Sequence, residues 1–274
     1  MLVKVLIDNI SNNDLLCEWG LSVYIEYRDQ KILLDGGTTG AFAKNAKMLG
    51  IDLSAVDFGV ISHAHYDHAD GLVAFFEEND HAPVYLRAGS AENCFKQEGS
   101  GYKYIGIREG FLEEYADRLR YVEGDFSPSE GVYLIPHKTK GLEKLGEKAH
   151  MYREWEGVFS PDTFAHEQSL VFDTSQGLVI FNSCSHGGAD NIIREVGDTF
   201  PGKKIYALFG GLHLHASADE DVLALAKRIR QTGIRKIYTG HCTGDHALEL
   251  LKQELGDDVV EGICSGFEIS DIVE

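Results

Sequence analysis

The chain has 274 residues and a net charge of −19, with ordinary apolar content, enough for a sizeable core in one large domain or two intimately packed halves. So acidic a protein repels a phosphate backbone, and no Lys/Arg cluster marks a local basic groove, which excludes nucleic acid as a bulk partner. No run approaches the roughly 20 apolar residues of a membrane span, and Met1-Leu2-Val3-Lys4-Val5-Leu6 enters a strand in place of a signal peptide, so a cytoplasmic protein with no membrane partner is expected.

In chain order, the hydrophobic pattern predicts strands over Val3 to Ile7, Leu21 to Tyr27 and Lys31 to Leu34, then a helix from Thr39 to Leu49. A short β-branched strand, Phe58 to Ile61, precedes an apolar helix from Leu72 to Glu78 and a strand from Val84 to Leu86. The middle, about residues 89–163, is different. It is rich in Gly, Glu, Lys and Tyr, weakly periodic apart from a strand at Val132 to Ile135, and has a polar helix-like piece around Gly110 to Arg118. It reads as an insertion or lid, since long loops in compact domains tend to be functional covers; a solvated excursion is the alternative. Beyond it come strands at Ser169 to Phe172 and Leu178 to Phe181, a helix from Asn191 to Phe200, a strand at Ile205 to Leu208 and a helix from Asp219 to Gln231. Val222, Leu225, Ala226 and Ile229 form the apolar face of that last helix, with Ser217 as its cap and Gly233 as its stop. A strand at Lys236 to Tyr238, a helix from Asp245 to Leu255 and a strand at Val259 to Ile263 complete the series. Early hairpins followed by strand-helix units predict sheets packed together with helices outside, a layered α/β architecture.

Ser62-His63-Ala64-His65-Tyr66-Asp67-His68-Ala69-Asp70-Gly71 holds three of the chain's twelve histidines and a carboxylate directly after an apolar strand. In extended backbone residues two apart face the same way, so His63 and His65 point together into one cavity, with Asp67 and His68 in the loop that follows. Imidazole with carboxylate suits zinc, iron or manganese better than magnesium or calcium. His186, in Asn182-Ser183-Cys184-Ser185-His186-Gly187-Gly188, and His241, in Thr239-Gly240-His241-Cys242-Thr243-Gly244, also follow apolar strands and are flanked by glycine, which lets backbone approach a crowded centre. His213 follows another strand and a Gly-Gly pair. Alternation with Leu212 and Leu214 turns it toward the site, where it contacts substrate or donates a proton; a core histidine is the alternative. His81, His137, His150, His166, His215 and His246 lack such context and are expected mostly at the surface. Cys17, Cys94, Cys184, Cys242 and Cys264 are odd in number and lack CxxC spacing, which gives little support to disulfides or a thiolate zinc knuckle.

With His63, His65, Asp67 and His68 matching HxHxDH, the chain resembles the metallo-β-lactamase superfamily over nearly its full length outside the middle segment. Within it, the chain is most similar to the branch of dihydropterin-ribofuranosylaminobenzene phosphate synthase-like metal-dependent hydrolases. That likeness rests on Glu18-Trp19-Gly20-Leu21-Ser22, Leu34-Asp35-Gly36-Gly37, Asn45-Ala46, Leu49-Gly50-Ile51-Asp52, Ser183-Cys184-Ser185-His186 and Gly210-Gly211-Leu212-His213-Leu214. The resemblance implies a single domain, residues 1–274, built as a four-layer αββα sandwich with metals at one edge. It further implies that His63, His65 and His186 bind one divalent ion and Asp67, His68 and His241 the other, with Asp35 orienting a ligand imidazole. Zinc is the first expectation, with manganese or iron also open. Two departures stand out. Many superfamily hydrolases have a bridging Asp where this chain has Asn182, Ser183 and Cys184, so that Cys184 is either a thiolate ligand or a small buried thiol. Trp19 stands where the branch commonly has His.

The expected activity is hydrolysis of a small, phosphorylated molecule by a hydroxide held between two metals about 3.5–4 Å apart, with Asp67 orienting it or taking its proton and His213 protonating the leaving group. The superfamily scaffold does not choose the substrate. A transferase condensing a dihydropterin diphosphate with an aminobenzene ribofuranoside phosphate ranks second. A metal sensor or a non-hydrolytic di-iron protein is the further alternative, its redox version disfavoured by the lack of a flavodoxin-like or rubredoxin-like appendage. Tyr102, Tyr104, Tyr115 and Trp155 of the middle segment would cover the site or dock a second subunit in a homo-oligomer.

Overall fold

Along the strand Gly177–Phe181, Val179 and Phe181 enter one core while Leu178 and Ile180 enter another. A strand buried on both faces needs a packed layer on each side. The computed structural model, which describes residues 1–270 and 272, supplies both. The strands are β1 (Leu2–Ile7), β2 (Ser22–Tyr27), β3 (Gln30–Leu34), β4 (Phe58–Val60), β5 (Val84–Arg87), β6 (Cys94–Glu98), β7 (Gly101–Tyr104), β8 (Leu119–Val122), β9 (Phe126–Ser129), β10 (Val132–Pro136), β11 (Met151–Trp155), β12 (Val158–Pro161), β13 (Gln168–Thr174), β14 (Gly177–Phe181), β15 (Ile205–Phe209), β16 (Lys236–Thr239), β17 (Val260–Gly262) and β18 (Glu268–Ile269). The helices are α1 (Ala41–Met48), α2 (Tyr66–Ala69), α3 (Leu72–Glu78), α4 (Phe111–Glu114), α5 (Glu143–Lys148), α6 (Ala189–Thr199), α7 (Asp219–Thr232) and α8 (Asp245–Leu255).

One seven-stranded sheet runs β18-β1-β2-β3-β4-β5-β8 and a second runs β17-β16-β15-β14-β13-β10-β9. Between them lies a core that joins Val23, Ile32 and Val60 of the first sheet to Phe172, Phe181 and Phe209 of the second. Leu33, Phe42, Leu72 and Phe75 fill the space between the first sheet and its helices. Ile180, Leu208, Ile192, Ile229 and Leu251 do the same on the outer face of the second. The architecture is therefore the four-layer αββα sandwich that the resemblance implies, and the layered α/β class that the hydrophobic pattern predicts. Among the described residues no helix is long and apolar enough to cross a membrane.

Gly233, in the left-handed conformation at φ 72°, stops α7 as expected, but Ser217 does not cap it. Ala218 holds the cap position without a side-chain hydrogen bond, and Asp219, Glu220 and Asp221 in the first turn complement the helix dipole instead. Residues 89–163 carry more regular structure than their composition predicts. β8 extends the first large sheet, β9 and β10 extend the second, and β12-β11-β6-β7 form a separate antiparallel sheet.

Candidate metal centre

Parallel pairing of β3 with β4, of β14 with β15 and of β15 with β16 brings the carboxyl ends of these strands to one edge of the sandwich. That edge receives Asp35 after β3, His63 after β4, Cys184 and His186 after β14, His213 after β15 and His241 after β16. Asp67 and His68 sit on the single helical turn α2, where a loop was expected. Gly71 lets this turn close against the neighbouring loop, since a Cβ there would collide with the carbonyl oxygens of Gly36 and Thr39. Asp35, Ser185, His213 and His241 all have positive φ, from 48° to 58°. Such backbone costs of order 1 kcal/mol or more per residue, so strain is concentrated where the candidate ligands converge.

Hydrogen bonds fix the imidazoles from outside. Asp35, fully buried, accepts from Ser62 N at 2.7 Å, Ser62 Oγ at 2.6 Å and His68 Nδ1 at 2.8 Å. With its hydroxyl proton committed to Asp35, Ser62 Oγ accepts from His63 Nδ1 at 2.8 Å. Asn9 Oδ1 likewise receives His241 Nδ1 at 3.0 Å. Their Nε2 atoms face inward: His63 Nε2 lies 3.3 Å from His186 Nε2, and His68 Nε2 lies 3.2 Å from His241 Nε2. Asp67 Oδ2 is 3.5 Å from His241 Nε2 and 3.7 Å from His68 Nε2. Imidazole nitrogens this close repel unless a metal ion or a proton lies between them, and His65 Nε2 and His186 Nδ1 are buried with no partner among the described residues. The donor set fits divalent metal, with His63, His65 and His186 in one group and Asp67, His68 and His241 in the other.

Electrostatics agree with that chemistry. Burial, followed by the surrounding imidazoles, pushes His63, His65 and His186 down, His65 to about 3, so they are neutral at pH 7 as ligation requires. Burial pushes the Asp67 carboxyl up, but His68 and His241 more than offset it and hold the group below the ordinary carboxylate range. His241 is drawn to about 9 by Cys242 and Asp67 against its burial, so a metal there competes with a proton. Cys184 Sγ lies 3.2 Å from His68 Nε2 and 3.4 Å from Cys242 Sγ. Burial and then Cys242 raise its thiol pKa. His213 turns toward the cavity, its ring centroid 4.4 Å from that of His186, with a buried unpaired Nδ1 among the described residues, while Leu212 and Leu214 enter the core behind. Trp19 packs its ring against His241 at 5.2 Å.

Of the histidines expected at the surface, His166 is buried and His137 is half-buried, with its side chain turned inward. His166 is fully buried behind His65; its Nδ1 accepts from Ala64 N and its Nε2 donates to Asp162 at 2.9 Å. His137 lies between Glu167 at 2.5 Å and Glu195 at 3.0 Å. Glu167 also accepts the amides of His186 at 2.9 Å and Gly187 at 3.0 Å, pinning the loop that carries His186. The signal was present for His137, which follows the strand β10; His166 precedes its strand. His81, His150, His215 and His246 are exposed, as expected.

The family model described as the metallo-beta-lactamase superfamily matches residues 20–241. A 7,8-dihydropterin-6-methyl-4-(beta-D-ribofuranosyl)-aminobenzene-5'-phosphate synthase of Methanocaldococcus jannaschii is 26% identical, with 90% of this chain and 88% of that protein covered. The solved structure of Tm1679, a metal-dependent hydrolase of the beta-lactamase superfamily, is 29% identical with a TM-score of 0.85 over 99% of each chain. The metallo-beta-lactamase fold protein YhfI from Bacillus subtilis shares the fold at a TM-score of 0.56 and 12% identity, over 98% of this chain and 99% of that one. With a match spanning most of its length and a four-layer fold that gathers HxHxDH at one edge, this chain belongs to the metallo-β-lactamase superfamily.

Proposed function

We propose that the chain is a metal-dependent hydrolase that acts on a small phosphorylated molecule. The observation that carries the reading is the pair of inward-facing Nε2 contacts, His63 with His186 and His68 with His241, in which His63, His68 and His241 are braced by outward hydrogen bonds. His63, His65 and His186 would hold one divalent ion and Asp67, His68 and His241 the other, with Cys184 beside His68. Metal bound there supplies Lewis-acid polarisation and activates water near neutral pH. Asp67, ionised and facing the cavity, orients the attacking water and receives its proton, while His213 passes a proton to the leaving group. Ser62, Asp35 and Asn9 keep the imidazoles in the required tautomers.

The similarity to a protein named as a synthase favours a second reading, in which the same site joins two phosphorylated substrates and does not admit water. Elemental analysis of protein purified without chelator comes first, with two equivalents of zinc or manganese expected. His63→Ala should then lose both metal and turnover of a chromogenic phosphodiester; retention of both would sink the metal-centre assignment. Product formed only when a dihydropterin diphosphate and an aminobenzene ribofuranoside phosphate are supplied together would select the synthase.

A further inference from the structure

The cavity above the metal centre, about 190 Å³, is bounded below by the histidine cluster and above by the small sheet β12-β11-β6-β7. Lys96 of β6 and Lys103 of β7 are direct cross-strand partners. Their side chains therefore leave the same face of the sheet, and both line this cavity. Like charges placed directly opposite one another destabilise a ladder. In a chain with 44 acidic and 25 basic residues, a compensating carboxylate would be easy to supply. The neighbouring cations have one: Lys148 pairs with Asp221 at 2.8 Å and Arg228 with Asp190 at 2.9 Å. Lys96 and Lys103 have no ion pair among the described residues, and Glu98, which also lines the cavity, is paired with neither.

We propose that Lys96 and Lys103 form a phosphoryl-binding subsite that holds the anionic group of the substrate over the metal centre. Opposed side chains with Cβ atoms about 4.5–5.5 Å apart can each donate to a different oxygen of one phosphoryl group. A phosphoryl group carries a charge of about −1.5 to −2 near neutral pH, which offsets both ammonium groups, whereas a carboxylate offsets one. The choice of substrate rests on the hydrolase reading above; the anion chemistry of the lysine pair does not.

The test is calorimetric titration of inorganic phosphate into the zinc-loaded full chain, comparing wild type with K96Q, K103Q, the double variant and K148Q. Loss of one charge-assisted contact should raise Kd about tenfold, and loss of both should raise it further, while K148Q stays within about twofold because Lys148 is already neutralised. Thermal unfolding of K96Q should not fall below that of wild type, since a repulsion has been removed. No phosphate binding by wild type, or an unchanged Kd in the double variant, overturns the subsite. If no phosphate ester is hydrolysed yet phosphate binding disappears with the lysines, the subsite stands and the hydrolase reading falls. If wild type and the double variant hydrolyse a phosphate ester with the same KM, the hydrolase reading stands and the subsite falls.

Discussion

Glu167 and Glu195 bring two carboxylates into the protein interior beside one imidazole, His137. Burial lowers the His137 pKa, but hydrogen bonds to both carboxylates outweigh it and raise it from 6.5 to about 9. The charged imidazole thus neutralises part of a buried acidic pair, and Glu195 also accepts the amides of Lys138 and Thr139. A group whose pKa rises on folding contributes stability in full below its unfolded pKa and loses it as pH climbs through the folded value. The stabilisation, on the order of a few kcal/mol, should therefore be complete below pH 6.5 and fade as the pH approaches and passes about 9. Denaturant unfolding at a series of pH values should show this loss in wild type and a flatter profile in His137→Gln. Parallel profiles would mean that the two carboxylates are compensated elsewhere.

Several elements near the site are too short to be stable alone. α2 has four residues and β4 three, below the length at which local propensity decides structure. They are held by packing, and Gly71 shows how tightly: Gly36 N donates to His68 O at 2.7 Å, and Gly71 N donates to Gly37 O at 3.0 Å. Gly71→Ala would drive a methyl group into two backbone carbonyls that have little room to yield. It should destabilise the protein by about 2 kcal/mol or more and weaken metal binding through displaced Asp67 and His68, measurable by denaturant unfolding and zinc competition. Wild-type stability in this variant would show the loop to be far more compliant than its contacts indicate. The same geometry explains why His166 was not singled out from sequence. A search for histidines after apolar strands finds residues delivered by parallel strands, but β13 runs antiparallel to both β14 and β10. Its beginning therefore reaches the edge where those strands end.

At the scale of the whole molecule, a net charge of −19 makes the surface repel itself. Raising sodium chloride from about 0.02 to about 0.3 M shortens the Debye length to well below the molecular diameter, so the thermal midpoint should rise. A flat or falling midpoint would show that local ion pairs already compensate the surface. The sequence by itself determined the layered α/β class, most strands and helices within a few residues, and the HxHxDH segment with its strand-end histidines. These features arise from periodicity and from side chains whose chemistry is scarce enough to stand out. Only the tertiary structure decided that Asp35 braces His68 directly and His63 through Ser62, that Glu167 pins the His186 loop, and that residues 89–163 contribute strands to three different sheets. Strand order and direction set those relations. They are fixed by contacts between segments far apart in the chain, which hydrophobic periodicity within any one segment does not encode.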